Sequence, residues 1–325
     1  MDYAFLGRSG LKVSRICLGT YNFGLHTDEA EAFRIMDLAV DAGINFFDTA
    51  NHYPDFVHCG LSESIIGRWF AQGGGRREKV VLATKAYQPM MDPADGPNND
   101  GGMSKYKLHR HVEGSLRRLG TDYIELYQMH HVDHRTSWEE IWEGFQVLVY
   151  QGRIGYVGSS NFAGWHLATA QAAARARNFL GLVSEQHRYS LLCRLPELEV
   201  LPAAKALGIG VLAYSPLGGG VFSGHALNPP KGSRVGDGAW VQHLRAPLEK
   251  FAALCRDLGR SEPDVALGWA LSHPAMTSVV IGPRTAEQMT GALGCLSVKP
   301  DEELHKKLNE IFPGPGGSAP EAYAW

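Results

Sequence analysis

Four polar residues, Asp48, Tyr53, Lys85 and His130, stand at or just beyond the ends of three successive apolar segments, Ile44–Phe47, Val80–Thr84 and Tyr123–Met129. Each segment has the pattern of a buried strand followed by a helical stretch. If the strands are parallel neighbours, their carboxyl ends open at one mouth and the four side chains converge there. A free tyrosine has a pKa near ~10 and is a poor acid–base catalyst at neutral pH. A lysine ammonium beside it favours the phenolate and draws that value towards the working range. A carboxylate next to the lysine keeps the ammonium charged, and Asp48 and Lys85 are spaced to make that pair. His130 is placed to donate a hydrogen bond to a substrate oxygen. Together the four suit one event, in which hydride reaches a carbonyl carbon and Tyr53 delivers a proton to the oxygen.

Positioning these groups requires a repeated β–α unit. A short hairpin, Tyr3–Leu6 with Leu11–Val13 around the turn Gly7–Gly10, precedes eight strand candidates: Arg15–Leu18, Ile44–Phe47, Val80–Thr84, Tyr123–Met129, Ile154–Val157, Leu182–Glu185, Ile209–Ala213 and Ser278–Ile281. Helical patterns fill the gaps: Asp28–Ala42, Ser62–Ala71, Ser104–Leu119, Trp138–Gln151, Trp165–Asn178, Leu198–Leu207, Pro247–Leu258 with Pro263–Ser272, and Thr285–Leu293. Gly43, Gly120, Gly152 and Gly208 suit the left-handed residue after a helix, and Thr27 and Ser104 suit N-caps. Eight such units predict an α/β fold, a (β/α)8 TIM barrel with an N-terminal β-hairpin, spanning 1–325 as one domain. Two long connections, Ala86–Met103 and Ser215–Ala246, follow strands and so belong at the catalytic face. A doubly wound dinucleotide-binding sheet requires GxGxxG in its first βα turn, where this chain has GTYNFG, Gly19–Gly24.

The bulk properties narrow the function classes. Of 325 residues, 44% are hydrophobic and 20% charged, and the net charge of −3 gives no reason to expect nucleic acid or an anionic membrane as partner. The basic run Lys105–Arg118 is interrupted by Leu108, Val112 and Leu116 at helical spacing and reads as the solvated face of a helix. Five scattered cysteines without a CxxC pair argue against a disulfide framework or structural zinc, and Cys17 reads as a small core residue. HHVDH, His130–His134, lacks a companion HxH on the first strand, so no metal site is expected. Without a signal-like start or an apolar run of ~20 residues, the expected location is the cytoplasm.

Seven stretches in order carry a resemblance: Leu6–Gly24 (LGRSGLKVSRICLGTYNFG), Ile44–Tyr53 (INFFDTANHY), Val81–Lys85 (VLATK), Ser115–His130 (SLRRLGTDYIELYQMH), Ile154–Phe162 (IGYVGSSNF), Ala213–Leu217 (AYSPL) and Val279–Gln288 (VVIGPRTAEQ). Through them the chain resembles the aldo-keto reductases along nearly its full length. The resemblance implies a barrel that binds NADP(H) across its C-terminal face, with Asp48, Tyr53, Lys85 and His130 as the catalytic tetrad. It implies that Ser160, Asn161 and Gln186 bond the nicotinamide carboxamide and that Tyr214 stacks on the ring. Leu217 and Gly218 would approach the pyrophosphate. Gly282, Arg284 and Thr285 would hold an anion, Arg284 taking the adenosine 2′-phosphate, and Gln288 would face the adenine. Gly19, Thr20, Tyr21, Asp48, Ser215 and Pro216 complete the implied cofactor contacts. The family commonly has asparagine four residues beyond that glutamine, where this chain has Ala292.

The substrate is less legible. Stretches such as YQMHHVD and YVGSSNFAGWH are similar to a branch that holds dTDP-4-keto-6-deoxyhexose reductases, general carbonyl reductases and potassium-channel β subunits. Two alternatives to a carbonyl reductase therefore stand: a nucleotide-sugar reductase, and an NADPH-binding subunit without turnover. Tyr21, Phe23, Tyr87, Trp165 and Trp240 are candidates for an aromatic pocket lining. The tail 313–325 is expected to be ordered only if Tyr323 and Trp325 dock, and the oligomeric state is not readable.

Overall fold

A computed structural model of the chain describes residues 1–90, 101–236 and 239–317. Eight parallel strands close into a barrel: β3 (Ile16–Gly19), β4 (Phe46–Asp48), β5 (Val81–Ala86), β6 (Ile124–Met129), β7 (Ile154–Ser160), β8 (Leu182–Arg188), β9 (Gly210–Tyr214) and β10 (Met276–Ile281). The last strand pairs with the first, Val280 opposite Cys17. An antiparallel hairpin of β1 (Tyr3–Phe5) and β2 (Lys12–Ser14) precedes them. Strands covered on both faces need apolar side chains inside and out, so they read in the sequence as near-continuous apolar runs.

The outer layer is α1 (Glu29–Asp41), α2 (Leu61–Ala71), α3 (Lys105–Leu119), α4 (Trp138–Tyr150), α5 (Gly164–Ala176), α6 (Val200–Leu207), α7 (Arg245–Asp257), α8 (Glu262–Ser272), α9 (Ala286–Gly291) and α10 (Glu302–Ile311). Ser104 caps α3 as expected, its hydroxyl accepting from the Lys107 amide. Gly43, Gly120, Gly152 and Gly208 all take positive φ. At α1 the cap is Asp28, not Thr27. The Asp28 carboxylate accepts from the Glu31 amide, and the Thr27 hydroxyl donates instead to the Arg284 carbonyl. The basic face of α3 is only partly solvated, since Lys107 is buried and Arg118 turns inward to Glu63, 2.7 Å away.

A small inner core fills the barrel: Leu6, Val13, Cys17, Phe46, Ala83, Leu126, Val183, Leu212 and Val280. Leu6 and Val13 come from the hairpin segment, which therefore seals the lower end. The seal is tight enough that a Cβ on Gly7, which has φ +57°, would lie 2.5 Å from the Val183 carbonyl oxygen. Above this core the strand register sets Asp48 beside Ala83, Lys85 beside Gln128 and Ser160 beside Gln186. Polar side chains thus gather at the carboxyl ends of the strands, at one mouth. Parts of the two long connections, 91–100 and 237–238, and the tail residues Tyr323 and Trp325 lie outside the described residues.

Candidate active site

Asp48 ends β4 and Lys85 lies on β5, and both are buried. The Lys85 ammonium donates to Asp48 Oδ2 at 2.5 Å and to the Thr49 carbonyl at 3.0 Å, and reaches the Tyr53 hydroxyl at 3.4 Å. The other carboxylate oxygen, Asp48 Oδ1, accepts from Gln128 Nε2 and from Gln186 Nε2, each at 2.9 Å. Tyr53 packs edge to face on Tyr21 and on His130, with centroids 5.2 and 5.8 Å apart. The four residues singled out by type and spacing therefore meet at one point.

Their electrostatics differ from expectation in one respect. Burial raises the Tyr53 phenol above its ordinary value by more than Lys85 lowers it, and Asp48 adds to the rise. Tyr53 is thus held as the protonated phenol. Lys85 loses by burial, but Asp48 and then Tyr53 more than offset this, and the ammonium is stabilised above its usual range. Burial, with Lys85 and the neighbouring His52 and His131 adding to it, drives His130 well below its usual range, so the imidazole is neutral. The catalytic end accordingly carries one buried ion pair, a phenol and neutral imidazoles.

These groups open into one end of a cavity of about 880 Å³. Gly19, Thr20, Tyr21, Asp48, Tyr53 and His130 line that end. Ser160, Asn161, Gln186, Tyr214, Ser215, Pro216 and Leu217 line its middle wall, and Gly282, Arg284 and Gln288 line the part formed after β10. Asn161 and Ser215 hold positive φ there, 63° and 51°, uncommon for residues other than glycine. The Asn161 amide donates to the His130 carbonyl at 3.1 Å, and its Oδ1 accepts from the Tyr214 hydroxyl at 2.9 Å. That network ties the tyrosine ending β9 to the loop after β6.

The profile of the aldo/keto reductase family matches residues 15–312. The chain belongs to this family. An uncharacterized oxidoreductase, YrpG, of Bacillus subtilis (strain 168) is 59% identical over the whole of both chains. A probable voltage-gated potassium channel subunit beta of Oryza sativa subsp. japonica is 31% identical over 92% of each chain. The versiconal hemiacetal acetate reductase of Aspergillus parasiticus is 30% identical over 96% of this chain and 97% of its own. The protein is thus an oxidoreductase of the aldo/keto reductase family.

In this aldo/keto reductase, three of the residues named from the sequence do not line the cavity. Lys85 is wholly enclosed behind Tyr53; Gly218 is buried at the start of a tight turn; and the Thr285 hydroxyl caps α9 by accepting from the Gln288 amide. Of the five aromatic residues proposed for the pocket, only Tyr21 lines it. Phe23 is core, Tyr87 packs on His131, and Trp165 and Trp240 are more than half exposed. The sequence reading also missed residues that do face the cavity. His52 and His131 sit beside His130, with the His52 ring 4.9 Å from it. Lys231 and Arg234, from the long connection after β9, join Arg284. The Arg284 guanidinium donates to the Gly232 carbonyl at 2.9 Å, and it is destabilised by burial and then by Arg234. His52 was adjacent to Tyr53 in the sequence, whereas nothing local in residues 215–246 marks Arg234.

Among the described residues, no group of three or more His, Cys, Asp or Glu side chains is placed to hold a metal ion. No helix among them is long and apolar enough to cross a membrane.

Proposed function

We propose that the protein is an NADPH-dependent oxidoreductase that reduces aldehydes or ketones to alcohols, with Tyr53 as the general acid. One observation carries this reading: the chain from Asp48 through Lys85 to Tyr53, with a neutral His130 beside it, opens into a cavity where, among the described residues, Asp48 is the only lining carboxylate. Among the described residues, Lys231, Arg234 and Arg284 line the same cavity. Arg284 is destabilised by burial and then by the charge of Arg234, as suits a site that awaits an anion.

The lining fits a phosphorylated dinucleotide. Ser160, Asn161 and Gln186 offer hydrogen-bonding groups for a carboxamide, and Tyr214 offers a ring face. Arg284 and Arg234 suit a 2′-phosphate, and Gln288 and Ala292 border the space for a purine. When bound, the cofactor supplies hydride to the carbonyl carbon. The Tyr53 hydroxyl proton goes to the carbonyl oxygen, and the phenolate left behind faces the Lys85 ammonium. His130 supplies a hydrogen bond to the same oxygen. Holding Tyr53 as the phenol favours the reductive direction, because the acid is present before the oxygen gains charge.

The test is NADPH oxidation, followed by absorbance, against simple aldehydes, ketones and dTDP-4-keto-6-deoxyhexoses, with Tyr53→Phe as the control. Turnover of simple carbonyls that disappears in the variant is the expected result. Turnover confined to the nucleotide sugars would move the protein to deoxysugar metabolism. A second reading, an NADPH-binding subunit without turnover, takes its support from the channel-subunit relative in Oryza sativa. Tight NADPH binding with no turnover of any carbonyl would favour it. On the reading preferred here, the protein acts in the cytoplasm on a small carbonyl, without nucleic acid or membrane as partner.

A further inference from the structure

Gln128 lies on β6 directly beside Lys85 in the strand register, and it is completely buried inside the barrel. Its Nε2 donates to Asp48 Oδ1 at 2.9 Å, while its Oε1 makes no hydrogen bond among the described residues. The orientation of the amide follows from charge, since the reverse would set an oxygen acceptor against a carboxylate oxygen. Packing alone does not call for this residue. Below it the barrel is filled by Leu126, Phe46 and Ala83, and a leucine or methionine would fill the same space without a stranded oxygen. The barrel also keeps a glycine where the side chain passes, as a Cβ on Gly158 would come within 3.1 Å of Gln128 Cγ. The polar gain of Gln128 therefore lies at Asp48.

We propose that Gln128 is a positioning residue for proton delivery, holding Asp48 Oδ1 so that Oδ2 alone engages Lys85 and the ammonium remains directed at Tyr53. The inference rests on the reading of Tyr53 as the proton donor. With both Gln128 and Gln186 on Oδ1, the negative charge is shared with two amide donors and the carboxylate cannot rotate. Without Gln128, more of that charge falls on Lys85 and Tyr53, the phenolate becomes harder to form, and proton transfer slows.

The experiment uses the full chain with 4-nitrobenzaldehyde as the probe carbonyl and NADPH varied up to saturation, comparing wild type, Gln128→Met, Gln128→Glu and Tyr53→Phe across pH. For Gln128→Met the expected result is a kcat about tenfold lower, an unchanged KM for NADPH, and a larger solvent isotope effect on kcat. The alkaline limb of the kcat profile should also move to higher pH. The melting temperature should fall only modestly, because the loss of one donor to Asp48, which keeps Gln186, is offset by removal of a stranded buried oxygen. Gln128→Glu should recover activity at low pH, where its protonated carboxyl still donates to Asp48, and lose it as pH rises. If Gln128→Met fails to fold, that pH-dependent recovery decides the matter. An unchanged alkaline limb and isotope effect in Gln128→Met, or a Gln128→Glu variant with no recovery at low pH, overturns the inference. Turnover that survives Tyr53→Phe brings down the proton-donor reading itself, whereas turnover lost in Tyr53→Phe with an unaltered Gln128→Met profile brings down this inference alone.

Discussion

The Arg234 guanidinium lies 5.7 Å from the centre of the Tyr21 ring, and Tyr21 in turn meets Tyr53 edge to face. Through this pair the long connection after β9 reaches across the cavity to the neighbour of Tyr53, the proposed general acid. The same connection is fastened at Gly232 by Arg284. One segment thus borders both the arginine-lined end of the cavity and the end that holds Tyr53.

Arg284→Ala should raise the KM for NADPH by tenfold or more, roughly 1.4 kcal/mol, while leaving that for NADH within about twofold. Arg234→Ala should act in the same direction. Steady-state kinetics with both cofactors checks this, and equal effects on the two would remove the 2′-phosphate from these arginines.

Tyr53→Phe and Lys85→Met should each lower kcat by about 10²–10⁴-fold, but they should differ in stability. Phenylalanine leaves the Asp48–Lys85 pair intact. Methionine strands a buried carboxylate, a loss that typically costs about 3–5 kcal/mol. Thermal unfolding should therefore separate the two variants even where activity assays do not.

Stability should fall as the solution is acidified below neutrality. Burial first, and then Lys85 and His131, push the His52 imidazole down to about 4. In the unfolded chain it takes up its proton near ~6.5. Between those values the unfolded state binds the extra proton, so the contribution is complete above about 6.5 and is lost as pH falls towards 4. The shift corresponds to roughly 3 kcal/mol at most, less for the part of the ring that water reaches. His130 is displaced in the same direction, chiefly by burial. Calorimetry at pH 7.5 and 5 should show a lower melting temperature at the acid end, and His52→Gln should weaken that dependence. A melting temperature flat across this range would contradict it.

Gly67→Ala should destabilise the fold without altering the site. Alanine is a better helix former than glycine by about 1 kcal/mol. Here, however, a Cβ would lie 2.2 Å from the Arg118 carbonyl oxygen, where α2 crosses α3. A backbone oxygen cannot move aside cheaply, and overpacking of this kind costs about 1–3 kcal/mol. The steric term should win, lowering the melting temperature while kcat is unchanged; a rise would show that the two helices separate freely.

The barrel, and the meeting of four polar side chains at its mouth, were legible because their signals are local. Asp48, Lys85 and His130 each follow an apolar run, and Tyr53 lies five residues beyond Asp48. The helix α10 went unread although Leu304, Leu308 and Ile311 fall on one face and Asp301 caps it. It lies beyond the eighth β–α unit, where the repeat that organised the reading had ended. Gln128 was hidden for another reason. Which side of a strand faces the barrel interior depends on the closing register, and only the closed ring brings an amide on β6 to a carboxylate on β4. Arg234 is remote from Tyr21 in sequence, and its place is set by the path of a long loop rather than by any periodicity.

The hairpin that seals the barrel floor also orders events in time. Leu6 and Gly7 meet residues around Val183 and Gly210, and the Arg8 amide donates to the Gly208 carbonyl at 2.8 Å. During synthesis these residues must therefore wait for some two hundred more before their partners exist. Contacts so distant along the chain slow the search for the native state. Until β8 and β9 have emerged, Leu6 and Val13 have no floor to close, and their apolar side chains stay exposed on the nascent chain.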